Sequence, residues 1–412
     1  TNYQIAYKEE PFEALGGKAG FEIALGEIQE TLRELHALYE SENDEQNTRE
    51  PTPAAVKHDK TATEQGRGGG RSEDEDTLVD IASCADRTSQ LKADLTYLAR
   101  GSTEGHVFWV EGDKRKGWVK LCGVPLDVGE LLGGIWERNC TTAVFTSATL
   151  SVGDDMDFFR KKVGLTSEHD KRTHVATYPS PFAGAQMLKC AMKNAVDPTA
   201  KSYPQCVAAT IVRLLEEPGR NILALFTARS MLESVYSLLR APGTLPNGAT
   251  ALAQNISGPR HTLVERFKSS TRTVLLGTDS FWEGIDAPGE ACEIVMIPRL
   301  PFPVPSHPLA QALAERARIL HGESFFSYAV PEAVIKFRQG AGRLIRSTTD
   351  RGALVVLDNR IVTRNYGRVF RKALGDDFTV CDSADTVRTA VESFLTRPTG
   401  IGDLTYEPLE ES

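Results

Sequence analysis

Residues Pro331 to Arg360 read PEAVIKFRQGAGRLIRSTTDRGALVVLDNR and concentrate the side chains best suited to chemistry. Gln339, Arg343 and Arg346 are spaced i, i+4, i+7, which on a helix puts one amide and two guanidiniums on one face. Planar guanidiniums can fork onto phosphate oxygens while the amide orients them. That layout stabilises charge on a transferring phosphoryl group. Gly340 and Gly342 flank the stripe. Each glycine costs a helix interior about 0.8–1.0 kcal/mol relative to alanine, so the pair predicts close approach of a ligand. The carrier is predicted as a helix over 331–347. Pro331 suits its first turn, and Val334, Phe337, Ala341 and Leu344 form its apolar side.

Three further clusters sit at the ends of apolar runs. In TDSFWEGID (278–286), Thr278 and Ser280 can hydrogen-bond phosphate, Asp286 can accept a sugar hydroxyl, and Gly284 lets the backbone pass close to a ligand. Trp282 is either a core aromatic or a platform for a base. After NILALF, Thr227, Ala228 and Arg229 occupy a strand-to-helix turn whose free amides attract anions. Ser230 with Glu233 predicts a capping box on a helix over 231–240. AVFTSATL predicts an apolar strand carrying Thr146, Ser147 and Thr149 at its carboxyl end, where open α/β sheets place ligands.

The elements that must position these groups alternate. Strands are predicted at 221–226, 273–277, 292–297 and 353–358, and helices at 204–216, 231–240, 260–268 and 331–347. This order predicts an α/β fold with a mostly parallel sheet covered by helices on both faces. Upstream, Leu25, Ile28, Leu32, Leu35 and Tyr39 mark a helix over 20–40, and Leu78 to Leu98 mark another over 77–99. Together they predict an N-terminal helical hairpin. The polar, glycine-rich stretch 41–76 between them predicts a disordered insert. HVFWVEG and WVKLCGVPL predict short strands, and 126–138 a helix. RLPFPVPSHPL is a rigid, non-helical connector.

The 412 residues allow two domains or more, and their formal net charge is −9. Residues 331–372 nevertheless hold ten Lys/Arg against three Asp/Glu, which predicts a localised polyanion site in an acidic chain. Seven cysteines lie at least 16 residues apart, with no CxxC or Cys/His cluster. That spacing predicts no zinc or iron–sulfur site here and suits a reducing cytoplasm. No apolar run predicts a membrane span.

FTSATL, LFTARS, GTDSFWEGID, RLPFPVPSHPL and QGAGRLIR–DRGALVVLDNR occur in that order. Together they resemble the second half of the DinG-like, XPD-related DNA helicases of superfamily 2, over about residues 105–375. The resemblance implies two RecA-like α/β domains with ATP between them, and an iron–sulfur domain and a helical arch inserted in the first. Residues 1–104 would be the end of the arch or a remnant of the first motor domain, 105–150 its last strands, 151–400 the second RecA-like domain, and 401–412 an acidic tail. Gln339, Arg343 and Arg346 match the arginine-finger helix. Glu283, Gly284 and Asp286 match the nucleotide side of one motif, and Thr278, Asp279 and Ser280 its DNA side. Thr227 and Arg229 match a single-stranded DNA contact, and Ser147 and Thr149 the motif that couples hydrolysis to strand movement. His307 stands where the family often has Asp, and Asn359 where it often has Pro, which puts local loop geometry in question.

The sequence contains no G-x-x-x-x-G-K-S/T phosphate loop and no DEAH-type acidic pair. It is therefore expected to be a fragment that starts after both. ATP and Mg²⁺ would be held mainly by the first motor domain. Any 4Fe–4S cluster would belong to the N-terminal part, with none in this chain. The expected parent is a monomeric, cytoplasmic, ATP-dependent helicase moving 5′ to 3′ on single-stranded DNA, in repair or replication. The alternative is a non-hydrolytic nucleic-acid or partner-binding module built from the second motor domain only.

Overall fold

The computed structural model describes residues 2–6, 73–99, 105–113, 118–151, 156–165, 172–178, 186–216, 220–282, 289–347 and 349–397, with single positions between 26 and 37. Contacts divide the chain into two units, Thr1–Leu126 and Asp127–Ser412. Residues 127–150, expected to finish the first motor domain, are thus grouped with the second unit.

In the first unit, β1 (Asn2–Ala6), helix α1 (Glu73–Ala99), β2 (His106–Asp113) and β3 (Trp118–Pro125) are described. The strands form an antiparallel sheet in the order β1-β2-β3. Gly123 lies under the rings of Phe108 and Tyr97, where a Cβ would come within 2.6 Å of Phe108. Nothing in the sequence patterning announced β1. Helix α1 begins at Glu73, inside the stretch expected to be loose; residues 41–72 and the tail 401–412 lie outside the described residues. Of the helix expected over 20–40, positions 26, 27, 30, 31, 33, 34 and 37 are described, and these are helical.

The second unit opens with α2 (Val128–Asn139) and α3 (Asp157–Lys162) and continues through β4 (Met187–Met192), α4 (Tyr203–Leu214), β5 (Ile222–Leu225), α5 (Arg229–Leu239), β6 (Thr250–Ala253), α6 (Arg260–Lys268) and β7 (Thr273–Gly277). It goes on with α7 (Asp279–Trp282), β8 (Ile294–Ile297), α8 (Pro308–His321), α9 (Val330–Ala341), β9 (Gly352–Val356), α10 (Arg360–Thr363), α11 (Gly367–Lys372), β10 (Thr379–Cys381) and α12 (Ala384–Leu395). Seven parallel strands run in the order β10-β4-β9-β8-β5-β7-β6. Their central strands are buried on both faces, as the runs ILAL, TVLLG, IVMI and GALVV require. One face packs on α4, α5 and α12, the other on α6, α7, α9 and α11. This is the α/β fold with a parallel sheet expected from the alternation, and it agrees with the RecA-like fold that the resemblance implies.

Three local expectations are corrected. AVFTSATL forms no strand: 142–147 is irregular and Val144 is 83% exposed. A strand needs a neighbour for its backbone groups, and no strand of the described residues pairs with this stretch. Ser230 caps nothing. Helix α5 starts at Arg229 after an extended Ala228, so Ser230 sits inside the first turn and Glu233 pairs with Arg229 at 2.8 Å. Finally, the helix predicted to 347 ends at Ala341. The next residues tighten into i→i−3 bonds, Arg343 N to Gly340 O and Leu344 N to Ala341 O at 3.2 Å each, and Asp350 then accepts the amides of Arg346 and Ser347 at 2.8 and 3.0 Å in the turn before β9.

The predicted apolar side of α9 is correct: Val334, Phe337, Ala341 and Leu344 are all buried. Gly340 has a different role from the one its position suggested. It faces the core, where a Cβ would lie 2.9 Å from Trp282 Cζ3 and 3.1 Å from Leu225 Cδ1. Its missing side chain admits the indole, not a ligand. Gly340→Ala should therefore lower the urea midpoint of the chain, because overpacking costs about 1–3 kcal/mol against a helix-propensity gain of about 0.8–1.0 kcal/mol. A raised midpoint would show that the indole does not need this space.

Candidate functional site

Parallel strands deliver all their carboxyl ends to one edge of the sheet, and the candidate DNA-contacting residues lie there. Leu225 is in register with Gly277, and Ala253 with Leu276. The ladder extends one step further through Phe226 N to Gly277 O at 2.8 Å and Gln254 N to Leu276 O at 3.0 Å. Thr227, Gln254 and Thr278 thus leave adjacent strands β5, β6 and β7 side by side, about 4.8 Å apart from strand to strand.

Gln254, to which no sequence pattern points, organises this edge. Its Oε1 accepts from Thr278 N at 2.7 Å and Thr278 Oγ1 at 3.1 Å, and its Nε2 lies 3.1 Å from Ser280 Oγ. Arg260 donates to Ser280 O at 3.0 Å. Asp279 is exposed and pairs with Lys336 of α9 at 2.9 Å. Trp282 is buried: its Nε1 donates to Phe226 O at 2.9 Å and Lys336 Nζ lies 5.4 Å from its ring. Of its two sequence readings, the core aromatic is the one the fold uses. Glu283, Gly284 and Asp286 lie outside the described residues.

Beside Thr227 is a cavity of about 260 Å³, lined by Tyr203, Phe226, Thr227, Ser230, Pro298 and Arg299 among others. Arg299 opens the proline-rich connector. Its neighbour Leu300 is pinned by a hydrogen bond from its amide to buried Asp358 at 2.9 Å, and Asp358 in turn holds Arg360 through bonds of 2.8 and 2.6 Å. Tyr203 donates its hydroxyl to Pro298 O, and burial pushes its pKa well up, so it stays a neutral donor. Hydroxyls, the first turn of α5 and a guanidinium thus converge on one cavity, a set suited to a phosphodiester. The sequence signal for Arg299 was weak: one arginine before a proline run.

The residues expected to act on a phosphoryl group lie along α9 and beyond its end, so Gln339, Arg343 and Arg346 do not form one helical stripe. Arg343 turns back, with Nε 3.1 Å from Gln339 O. Arg346 sits in the turn closed by Asp350, before β9 and hence at the amino edge of the sheet. Its charge counters the burial that raises the Cys292 thiol to about 12. Ser147 and Thr149 form a compact turn, with Oγ atoms 3.1 Å apart and Thr149 N donating to Ser147 Oγ at 3.2 Å. Arg338, which stands outside the i, i+4, i+7 spacing, reaches this turn from α9, with Nη1 2.7 Å from Ser151 O and Nη2 bonded to Ala148 O. Among the described residues, no three His, Cys, Asp or Glu side chains converge on a metal-sized site. No helix of the described residues is long and apolar enough to cross a membrane.

A seven-stranded parallel sheet with helices on both faces and polar strand ends defines a RecA-like α/β domain. The helicase C-terminal domain family matches residues 211–377. The 3'-5' exonuclease DinG of Bacillus subtilis is 38% identical over 281 residues, covering 66% of this chain and 30% of that protein. The ATP-dependent DNA helicase YoaA of Escherichia coli is 32% identical over 315 residues, covering 76% of this chain and 47% of that protein. A solved XPD helicase shares the fold, with TM-score 0.50, 14% identity and coverage of 92% of this chain and 65% of that one. The chain is thus similar to DinG and YoaA proteins, with residues 211–377 matching the helicase C-terminal domain. It spans 30% to 47% of the length of these two curated relatives.

Gln254→Ala removes the acceptor for the Thr278 amide. Hydrogen exchange at Thr278 should quicken about tenfold, as expected for loss of a bond worth roughly 1 kcal/mol or somewhat more. The core amides of β7 should keep their rates. Unchanged exchange at Thr278 would show that Gln254 does not hold this edge.

Proposed function

We propose that this chain is the second motor domain of an ATP-dependent DNA helicase that moves 5′ to 3′ along single-stranded DNA in repair or replication. The observation that carries this reading is the row of polar side chains, Thr227, Gln254 and Thr278, at the ends of β5, β6 and β7, set beside the cavity that Arg299 lines. Such an edge suits a flexible phosphate backbone without reading base sequence. Thr227, Arg229, Thr278, Asp279 and Ser280 serve this track, with Lys336 neutralising the Asp279 carboxylate at 2.9 Å.

ATP is the second substrate, held with Mg²⁺ mainly by a first motor domain. Gln339, Arg343 and Arg346 face its γ-phosphate, and Glu283, Gly284 and Asp286 its nucleotide side. Ser147 and Thr149 link hydrolysis to movement. The protein works as a monomer in the cytoplasm. Arginine fingers stabilise transition-state charge but multiply a reaction that a phosphate loop and a metal must first position.

This division of labour can be tested in two ways. The purified 412-residue chain should bind single-stranded oligonucleotides with little base preference. Arg299→Ala and Arg229→Ala should each weaken all sequences about equally and flatten the log–log salt slope by roughly 0.7. Loss confined to one sequence would mean base readout and would contradict the track. The same chain should hydrolyse no ATP above buffer with DNA present. In the longer protein, Arg343→Ala should depress DNA-stimulated kcat by about 10³–10⁵, and lysine should rescue poorly because it lacks the planar fork. Hydrolysis by the 412-residue chain, or wild-type turnover in Arg343→Ala, would overturn the assignment.

A further inference from the structure

Residues 127–165 are held on the helices of the second unit by a small number of charged contacts. Asp127 pairs with Arg316 of α8, and Lys162 pairs with Glu332 of α9 at 2.5 Å. Inside the segment, Trp136, Phe145 and Phe159 stack edge to face at 5.4 and 5.5 Å, and Trp136 Nε1 donates to Val163 O at 2.8 Å. These contacts tie helix α2 and Phe145 to residues 159–163. Beyond Phe145, the irregular stretch 146–151 is gripped from outside by one side chain.

That side chain is Arg338. It stands one residue before Gln339 and five before Arg343, on the same helix end. Its guanidinium spans the turn: Nη1 donates to Ser151 O at 2.7 Å and lies 3.3 Å from Ser151 Oγ, while Nη2 donates to Ala148 O. Ser147 and Thr149, the two hydroxyls assigned to coupling, lie on either side of Ala148 and bond to each other. Burial lowers the pKa of Arg338, and its donors go to carbonyls, which orient it without neutralising it. A guanidinium bonded to neutral acceptors in a half-buried position offsets its desolvation with hydrogen bonds alone, so the clasp can be released as well as made.

We propose that Arg338 is a positioning residue that couples the 147–151 turn to the arginine-bearing end of α9. A displacement of either then moves the other. The inference rests on the helicase reading above. A planar fork holds both carbonyls in one fixed geometry, whereas a lysine ammonium on its flexible stem holds them less rigidly. The bonds of the Arg338 guanidinium go to the 148–151 turn, so its effect falls on the conversion of hydrolysis into movement.

Two measurements test this. In the 412-residue chain, Arg338→Ala should quicken hydrogen exchange at 147–151 by about tenfold or more, and Arg338→Lys by less, while the β5 and β8 amides stay as in the wild type. In the full-length protein, the ATP consumed per base pair opened should rise about tenfold for Arg338→Ala, the equivalent of roughly 1.4 kcal/mol of lost coupling, with partial recovery in Arg338→Lys. Exchange at 147–151 that does not change would overturn the clasp. Unwinding and hydrolysis that fall in equal proportion, or an unchanged ATP cost, would overturn the coupling role and leave the helicase reading standing. A wild-type full-length protein without DNA-stimulated hydrolysis would overturn both.

Discussion

The second unit depends on one buried indole. Trp282 ends the short helix after β7, donates its N–H to the carbonyl at the end of β5, and fills the space that Gly340 leaves on α9. Three elements far apart in sequence are thereby fixed to each other by one rigid group. A buried indole N–H needs an acceptor, and Phe226 O supplies it at the point where the chain leaves the sheet for Thr227. The same indole sets the height of Lys336 above its ring and hence the Lys336–Asp279 pair. The ends of β5 and β7 and helix α9 share this one anchor, so neither can shift far without the other.

Thr227, Gln254 and Thr278 on one side and Arg346 on the other lie at opposite ends of the sheet. Thr227, Gln254 and Thr278 come after their strands at the carboxyl edge, while Arg346 and Asp350 precede β9 at the amino edge. Helix α9 runs along the sheet between the two. It packs Gly340 against Trp282 and Leu225 at the carboxyl ends of the strands, with Lys336 pairing with Asp279 there, and the chain then passes through Arg343 to Arg346 before β9. The chain is acidic, yet its cations are collected here, and field strength at a site depends on local arrangement more than on net charge.

The sheet order's ingredients were legible because buried parallel strands are nearly pure apolar runs and their helices are strongly patterned. The predicted 260–268 helix was recovered as Arg260–Lys268. Features that were not legible depended on contacts distant in sequence. Gln254 is ordinary until Thr278 arrives from 24 residues away. Gly340 looked like room for a ligand because the sequence does not say that Trp282 will come from 58 positions earlier. The end of α9 was overrun because the chain tightens at Arg343 and Leu344 and Asp350 then holds the turn from beyond the periodic stretch. AVFTSATL has the composition of a strand, but composition cannot supply the neighbour a strand requires.

Which edge of the sheet carries the single strand is the claim on which the remaining assignments rest. Photocrosslinking of a thymine oligonucleotide to the intact chain, with mapping of the labelled peptides, addresses it directly. The account predicts labels at 226–231, 254–260 and 278–280, together with the connector that begins at Arg299. Labels confined to 343–351 at the amino edge, with the carboxyl ends of β5, β6 and β7 unmarked, would contradict it.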